Sequence, residues 1–314
     1  MSDKLANRKQ KMGGNPQGAD DGEGGLLIDG YRRQSKKPAF RPNGDLPEDV
    51  QKQLGGYMAN GSVIDRAEGT TGTSIFDPVL CELMYTWFCP PSGLILDPFA
   101  GGSVRGIVAA VLGRYYVGLD LRPEQVEENR TQAERITPDN IPAWLVGNSL
   151  KLPEFVSDEV DFVFSCPPYY DLEIYSDDSD DLSTYETYEQ FIEDYRAIIA
   201  HSLSLLKDNR FACFVVGDIR DKKGFYRCFV RDTINAFQDC GALLYNDAVL
   251  ITAVGSLPIR VGRQFGAGRK LGKGHQNVLV FCKGDPKAAT EAVGEIEIWE
   301  PEDTATMHES DRPD

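Results

Sequence analysis

The chain has 314 residues, of which 33 are Lys or Arg and 49 are Asp or Glu, so its formal net charge is −16. Hydrophobic residues make up 41% of it, which allows a sizeable core and excludes a chain that is disordered throughout. No apolar run approaches the roughly 20 residues of a membrane span, and the polar start has no cleavage-site pattern. We therefore expect a cytoplasmic protein with no membrane partner.

The seven cysteines are scattered along the chain and are never spaced C-x-x-C. This usage is typical of reduced thiols, so we predict neither a disulfide framework nor a metal site. The acidic charge balance argues against a protein whose whole surface binds nucleic acid. It leaves room for a local basic groove.

The two ends of the chain differ in composition from its middle. Residues 1–70 are rich in Gly, Asn, Lys, Arg and Asp without a sustained apolar period, which predicts a basic arm that is disordered or loosely ordered. Residues 285–314 read as an acidic, solvated tail. The folded domain is therefore expected over 71–284.

Helix and strand patterns alternate within this domain. The first is an amphipathic helix over 76–88, which ends before Pro90 and Pro91. Strands are predicted at 94–99, 115–121, 143–149, 160–165, 211–219, 242–251 and 277–284, and further helices at 106–113, 122–136, 188–206 and 226–238. Seven strands with intervening helices predict an α/β fold with a doubly wound, mostly parallel sheet.

The first motif, LILDPFAGGSVRG, runs from the first of these strands into a helix. Its small residues Gly101, Gly102 and Ser103 let the backbone approach a ligand, and the helix amides can meet the ligand's polar groups. Asp120 ends the next strand, where a carboxylate commonly accepts hydrogen bonds from both ribose hydroxyls. The glycines are not spaced G-x-G-x-x-G, so the pattern favours an adenosine-bearing cofactor over a dinucleotide. A structural tight turn is the alternative interpretation.

The second motif, VDFVFSCPPYY, follows the strand at 160–165. Pro167 and Pro168 fix φ and remove two amide donors, so the strand must stop and leave carbonyls free to accept hydrogen bonds. Tyr169 then offers a face on which a planar base can stack. A proline-rich loop with a packed tyrosine is the alternative interpretation.

A basic, glycine-rich segment at 258–276 contains no acidic residue. We predict a mobile loop between the last two strands that contacts a phosphate backbone. Its candidate nucleic-acid-binding residues are Arg260, Arg263, Arg269, Lys270 and Lys273. A second basic stretch at 218–227 is expected beside the same cleft, and a merely solvated loop is the alternative.

DPFAGGS followed by VGLDL, with CPPY downstream, resembles the DNA amino-methyltransferases among the class I S-adenosylmethionine-dependent methyltransferases. The resemblance covers about residues 70–284 and implies their Rossmann-like seven-stranded sheet, with S-adenosylmethionine as cofactor and DNA as partner. It further implies that Thr73 and Ser74 hold the methionine carboxylate and that Asn148 lies near the adenine, although Asn148 also suits a turn that closes a strand. The expected cofactor residues are Thr73, Ser74, Asp97, Phe99, Gly101, Gly102, Ser103, Asp120, Leu121 and Asn148.

The same resemblance assigns the catalytic signature to Cys166, Pro167, Pro168 and Tyr169. In that family, hydrogen bonds draw electron density onto an exocyclic amino group, cytosine-N4 or adenine-N6, of a flipped or single-stranded base. The family has Asp, Asn or Ser where this chain has Cys166, and a thiol is a weak hydrogen-bonding group. Cys166 either serves as a near-isostere of serine, or is replaced by Ser165 through a local shift, or marks a catalytically weak protein.

Two further functions stay open from the sequence. One is N-methylation of RNA or of a protein amide, and the other is a module that only binds S-adenosylmethionine. A DNA methyltransferase of restriction–modification or phage DNA modification is the leading hypothesis.

Overall fold

The computed structural model describes residues 76–172, 178–251 and 257–296, with the backbone but not the side chains of 257–260 and 263. The arm predicted for 1–70 and the predicted cofactor residues Thr73 and Ser74 lie outside the described residues. No helix of the described part is long and apolar enough to cross a membrane. The same residues contain no group of three or more His, Cys, Asp or Glu side chains that could hold a metal ion.

Within these residues, seven strands form one sheet in the order β3-β2-β1-β4-β5-β7-β6. The strands are β1 Leu94–Asp97, β2 Tyr115–Asp120, β3 Ala143–Val146, β4 Val160–Ser165, β5 Leu206–Val216, β6 Ala242–Ile251 and β7 His275–Lys283. Strand β7 runs antiparallel to its neighbours β5 and β6, and the other pairs are parallel. The predicted seven-stranded, mostly parallel sheet is confirmed.

Helices cover both faces of this sheet. They are α1 Pro78–Phe88, α2 Val104–Val111, α3 Pro123–Ile136, α4 Leu152–Phe155, α5 Tyr188–Leu205, α6 Phe229–Asp239, α7 Leu257–Gly268 and α8 Pro286–Val293. Strand alternation divides the core between the faces: Phe162 and Phe164 of β4 pack with α1, whereas Val163 packs with α5 and α6. All of β4 is buried, as expected for a central parallel strand.

Local signals explain where the helices begin. The Asp77 carboxylate accepts hydrogen bonds from the amides of Val79 and Leu80 at 2.9 and 3.3 Å, and Pro78 is the first residue of α1. Thr187 caps α5 in the same way through the amide of Gln190 at 3.3 Å. These caps fix the entry of the two helices that pack on opposite faces of β4.

The segment between β6 and β7 differs from the prediction of a mobile loop, because helix α7 occupies Leu257–Gly268. Pro258 falls in the first helical turn, where proline is tolerated since its missing amide has no intrahelical partner. Gly262 and Gly266 are four residues apart, hence on one helix face, and no atom of the described residues lies within 4 Å of a Cβ added at either. The two glycines do not break the helix.

The start of the predicted acidic tail also differs from expectation. Asp285 caps α8 by accepting from the amide of Ala288 at 3.0 Å. Ala289 and Val293, again four residues apart, are buried against the domain. The folded part thus extends at least to Val293, and residues 297–314 lie outside the described part of the chain.

Candidate functional site

The two sequence motifs lie at the point in the sheet from which successive strands are added in opposite directions. Strands β1 and β4 are parallel neighbours, with Ile95 opposite Phe162 and Leu96 opposite Val163. The chain proceeds from β1 outward to β2 and β3, and from β4 outward the other way to β5. In open α/β sheets, ligands bind in the crevice outside the carboxyl ends of the strands at such a point. The Gly-rich turn after β1 and the Cys-Pro-Pro-Tyr loop after β4 both begin there.

A buried hydrogen bond joins the ends of these two strands. The Ser165 hydroxyl, at the end of β4, donates to Oδ1 of Asp97, at the end of β1, at 2.5 Å. Both residues are 0% exposed. A hydrogen bond between side chains therefore connects the two strands from which the motifs begin.

Asp97 is the centre of this network. Oδ1 accepts from Ser165 and from the amide of Phe99 at 3.2 Å, while Oδ2 accepts from Arg105 Nε at 2.5 Å and from the Tyr116 hydroxyl at 2.8 Å. A carboxylate has about four acceptor positions, and protein donors take all of them here. In this structure Asp97 positions the turn, and a contact between Asp97 and the cofactor stays a prediction.

Arg105 anchors the turn itself. Its Nη2 donates to the carbonyls of Phe99 and Ala100 at 2.6 and 2.9 Å, so one guanidinium ties α2 to the end of β1 and to the Gly-rich turn. Burial tends to lower the pKa of Arg105, but the nearby acidic groups, Asp97 first among them, together raise it. Burial, together with Asp97, raises the pKa of Tyr116 well above its usual value, so Tyr116 stays a neutral donor.

The Gly-rich turn leaves room for a ligand. Gly101 has φ +49°, a left-handed conformation that favours glycine, and its amide donates to Asp120 Oδ2 at 2.9 Å. Among the described residues, no atom lies within 4 Å of a Cβ added at Gly101 or Gly102. Asp120 Oδ1 accepts from the amide of Arg122 at 2.9 Å, which leaves acceptor positions on both of its oxygens.

The other predicted cofactor residues are placed differently from one another. The Phe99 ring packs into the core against Tyr195 and Phe214, with ring centroids 6.1 and 6.3 Å away. Ser103 donates to Gln132 at 2.5 Å, and Leu121 is half-buried just beyond β2. Asn148 accepts from the amide of Leu150 at 2.9 Å and so caps a short helical turn, as its alternative interpretation predicted.

The prediction that Asp120 binds the ribose of S-adenosylmethionine is tested by Asp120→Asn. This change is expected to weaken cofactor binding about 10- to 100-fold, because hydrogen bonds to a charged acceptor contribute about 1.5–3 kcal/mol. Burial raises the pKa of Asp120. The affinity of the unmodified chain should therefore start to fall on acidification at a higher pH than for an ordinary aspartate, and Asp120→Asn should remove that dependence. Calorimetric titration across pH measures both effects. The matched control is Asp139→Asn, in an exposed turn, and equal affinities in the two variants would contradict the assignment.

The Cys-Pro-Pro-Tyr loop holds its tyrosine rigidly. The Tyr169 hydroxyl accepts from Gln276 Nε2 at 2.6 Å and donates to the carbonyl of Val215 at 3.3 Å, and its ring meets Phe229 edge-on at 5.9 Å. Cys166 Sγ lies 3.9 Å from the same hydroxyl. The ring orientation is therefore set before any substrate arrives.

The groups that could activate an amine differ in availability. The Pro167 carbonyl accepts no hydrogen bond from the residues that the structure describes. Ser165 is buried and its hydroxyl donates to Asp97, whereas Cys166 is partly exposed. This arrangement favours Cys166 over Ser165 as the side chain that an amine would meet.

Only some of the basic residues predicted to bind nucleic acid lie close to the second basic stretch. The backbones of Arg260 and Arg263 lie in α7, and their side chains are outside the described residues. Lys270 reaches over the 218–227 turn, since an added Cβ at Gly224 would lie 2.5 Å from its Cε. Lys273 lines a groove together with Arg220 and Lys222, so the two basic stretches adjoin, as expected. The guanidinium of Arg269 lies over the Phe265 ring at 5.2 Å.

Sequence reasoning missed the roles of four residues. Arg105, Tyr116 and Ser165 fix the turn through Asp97, and Gln276 fixes Tyr169 across 107 positions. Only Arg105 leaves a signal, as a lone cation beside the apolar run of α2. The other three are polar residues in strands with nothing to distinguish them.

Comparisons with known proteins give distant similarities. No family model and no curated protein matches the chain. Among solved structures, TrmN from Thermus thermophilus is 17% identical over 66% of this chain and 49% of its own, with a TM-score of 0.44. A methyltransferase from Pyrococcus furiosus is 15% identical over 76% of this chain and 94% of its own, with a TM-score of 0.47.

Magnesium protoporphyrin IX methyltransferase from Synechocystis PCC 6803, solved with bound S-adenosylmethionine, is 15% identical over 62% of this chain and 71% of its own, with a TM-score of 0.40. The chain thus spans about half the length of TrmN. At these TM-scores the similarities carry no inference about activity or substrate.

Proposed function

We propose that this chain is a class I S-adenosylmethionine-dependent methyltransferase that acts on the exocyclic amino group of a DNA base, cytosine-N4 or adenine-N6. One observation carries the proposal: the Gly-rich turn and the Cys-Pro-Pro-Tyr loop begin at adjacent strand ends joined by the Ser165–Asp97 hydrogen bond. A cofactor on the first and an amine on the second would be held side by side, which is the geometry that a direct transfer needs.

The turn after β1 fits S-adenosylmethionine. The space beside Gly101 and Gly102 admits a ligand close to the backbone, and Asp120 keeps acceptor positions for two ribose hydroxyls. When bound, the cofactor supplies a methyl group on a positively charged sulfur. The network around Asp97 holds the turn in place and makes no direct contact with the ligand in this assignment.

The loop after β4 fits a planar amine. The Pro167 carbonyl would accept one amino hydrogen, and Cys166 would accept the other weakly, which draws electron density onto nitrogen. The immobile Tyr169 ring would bound the base on one side. Because an amino group in duplex DNA is inside the base stack, the base must be unpaired or flipped when it binds.

A competition assay tests the choice of nucleic acid. Equal amounts of unmethylated DNA and RNA of matched sequence compete for methyl groups from labelled S-adenosylmethionine in one reaction. The proposal expects the label predominantly in DNA. Label predominantly in RNA would favour the RNA N-methyltransferase hypothesis, and label in neither nucleic acid would leave the protein-amide and binding-only hypotheses.

Changing both Arg269 and Lys270 to Ala is expected to weaken DNA binding and to flatten its salt dependence. Each lost phosphate contact lowers the slope of log affinity against log salt concentration by about 0.7–0.9. A salt titration of binding measures this slope. The matched control changes Lys151 and Lys287, on other parts of the chain, to Ala. An unchanged slope in the Arg269/Lys270 variant would contradict the predicted phosphate contacts.

A further inference from the structure

A groove of about 430 Å³ starts at the turn that follows the Cys-Pro-Pro-Tyr loop. It is lined by residues from two segments, 218–226 and 264–273, together with Asp171 and Leu172. A smaller groove of about 250 Å³ shares Asp171, Asp221 and Lys222 with it and extends to Tyr170 and Arg227. We call the two together the aromatic groove. Its residues Tyr170, Asp171 and Leu172 come directly after the loop that would hold the target base.

Exposed rings border the aromatic groove. Tyr226 lines it, and the Arg220 guanidinium lies 3.8 Å from the centre of that ring. Phe225, next to Tyr226, is 72% exposed, and Leu271, which lines the groove, is 70% exposed. Apolar side chains that are exposed together mark an interaction surface. The flat faces of the two rings suit stacking with bases, with or without a guanidinium behind them.

The charges that line the aromatic groove nearly cancel. Its larger part has Arg220, Lys222 and Lys273 against Asp171, Asp218 and Asp221, and its smaller part adds Lys223 and Arg227 against Glu186. This lining carries little excess positive charge and the chain as a whole carries −16, so a duplex, which presents mainly its phosphate backbone, gains little there. An unpaired strand presents base faces, and stacking on aromatic rings is the favourable contact that remains.

We propose that the aromatic groove binds an unpaired stretch of the DNA strand that carries the target base, by stacking bases on Phe225 and Tyr226. This inference rests on the proposed function for the identity of the nucleic acid. It adds that the protein takes its base from single-stranded DNA, with the neighbouring nucleotides lying along the groove. The cations of the 218–227 turn then orient the strand and contribute little to its affinity.

Fluorescence anisotropy tests the proposal with a labelled single-stranded oligonucleotide, its duplex and the RNA of the same sequence. The full chain is expected to bind the single-stranded DNA at least about tenfold more tightly than the duplex. Phe225→Ala and Tyr226→Ala should each weaken single-strand binding about fivefold or more, the effect of one lost stacking contact, without a change in salt slope. The control is Tyr115→Ala, at the amino end of β2 and 60% exposed, which should leave binding unchanged.

Three outcomes would overturn the proposal: tighter binding of duplex, tighter binding of RNA, or unchanged single-strand affinity in both aromatic variants. Circular dichroism of each variant shows that it is folded, as expected for changes at exposed positions. The assay needs no methyl transfer, so its result is separate from that of the proposed function. Single-strand binding without transfer to any amine would leave the groove assignment standing and refute the reaction. Methyl transfer to duplex DNA together with tighter binding of duplex would refute the groove assignment and leave the proposed reaction standing.

Discussion

Replacing Arg105 with leucine is expected to lower the free energy of unfolding by about 3–5 kcal/mol, because it leaves the Asp97 carboxylate buried without its cation. The two lost hydrogen bonds to the carbonyls of Phe99 and Ala100 act in the same direction. Urea denaturation measures the effect. The matched control is Arg196→Ala, which removes a solvent-exposed ion pair with Asp239 and should cost less than about 1 kcal/mol.

A double variant separates charge from packing in this experiment. When Asp97→Asn accompanies Arg105→Leu, no charge is left unpaired, so the combined loss should be smaller than the sum of the two single losses. Losses that add, or an Arg105→Leu variant no less stable than Arg196→Ala, would contradict the central role given to the Asp97–Arg105 pair.

Replacing Cys166 with serine is expected to raise the turnover number about 5- to 10-fold while the KM for S-adenosylmethionine stays constant. A hydroxyl is a better hydrogen-bonding group than a thiol, and one neutral hydrogen bond contributes about 1 kcal/mol. The change should appear in the turnover number because the bond acts on the amine and not on the cofactor. Steady-state methyl transfer with varied cofactor measures both constants.

The control for this variant is Cys240→Ser, a free and half-buried cysteine at the end of α6. It should leave both constants unchanged. A fall in turnover with Cys166→Ser would show that the thiol itself is required. Absence of transfer by the original chain, Cys166→Ser and Cys166→Asp alike would support the hypothesis of a module that only binds S-adenosylmethionine.

Much of the fold follows from local patterns. The strands at 160–165 and 242–251 have the predicted bounds. A continuous apolar run indicates the first, and the second lies between turn residues. The prediction was wrong at α7, where the glycines suggested a loop. The effect of a glycine on a helix depends on whether a side chain at that position would have packed against the protein. The prediction was also wrong at α8, where the negative charge of the tail obscured the Asp285–Pro286 start and the buried Ala289 and Val293.

The sequence indicates where the candidate site lies better than it indicates which residues are in contact there. The Gly-rich turn and the Cys-Pro-Pro-Tyr loop were each predicted directly after a strand, and the carboxyl ends of parallel strands lie at one edge of a sheet. The partners of Asp97 lie 8, 19 and 68 positions away, and Gln276 lies 107 positions from Tyr169. Such pairs are selected by the register of strands and not by local spacing, so a single sequence carries no mark of them.

The most direct test of the proposed reaction is methyl transfer from S-adenosylmethionine with a labelled methyl group to unmethylated genomic DNA, followed by mass spectrometry of the nucleosides. The proposal predicts label on the exocyclic nitrogen of cytosine or adenine, and loss of that product in Asp120→Asn at low cofactor concentration. Label on a ring carbon, or measurable cofactor binding with no transfer to DNA, would contradict it.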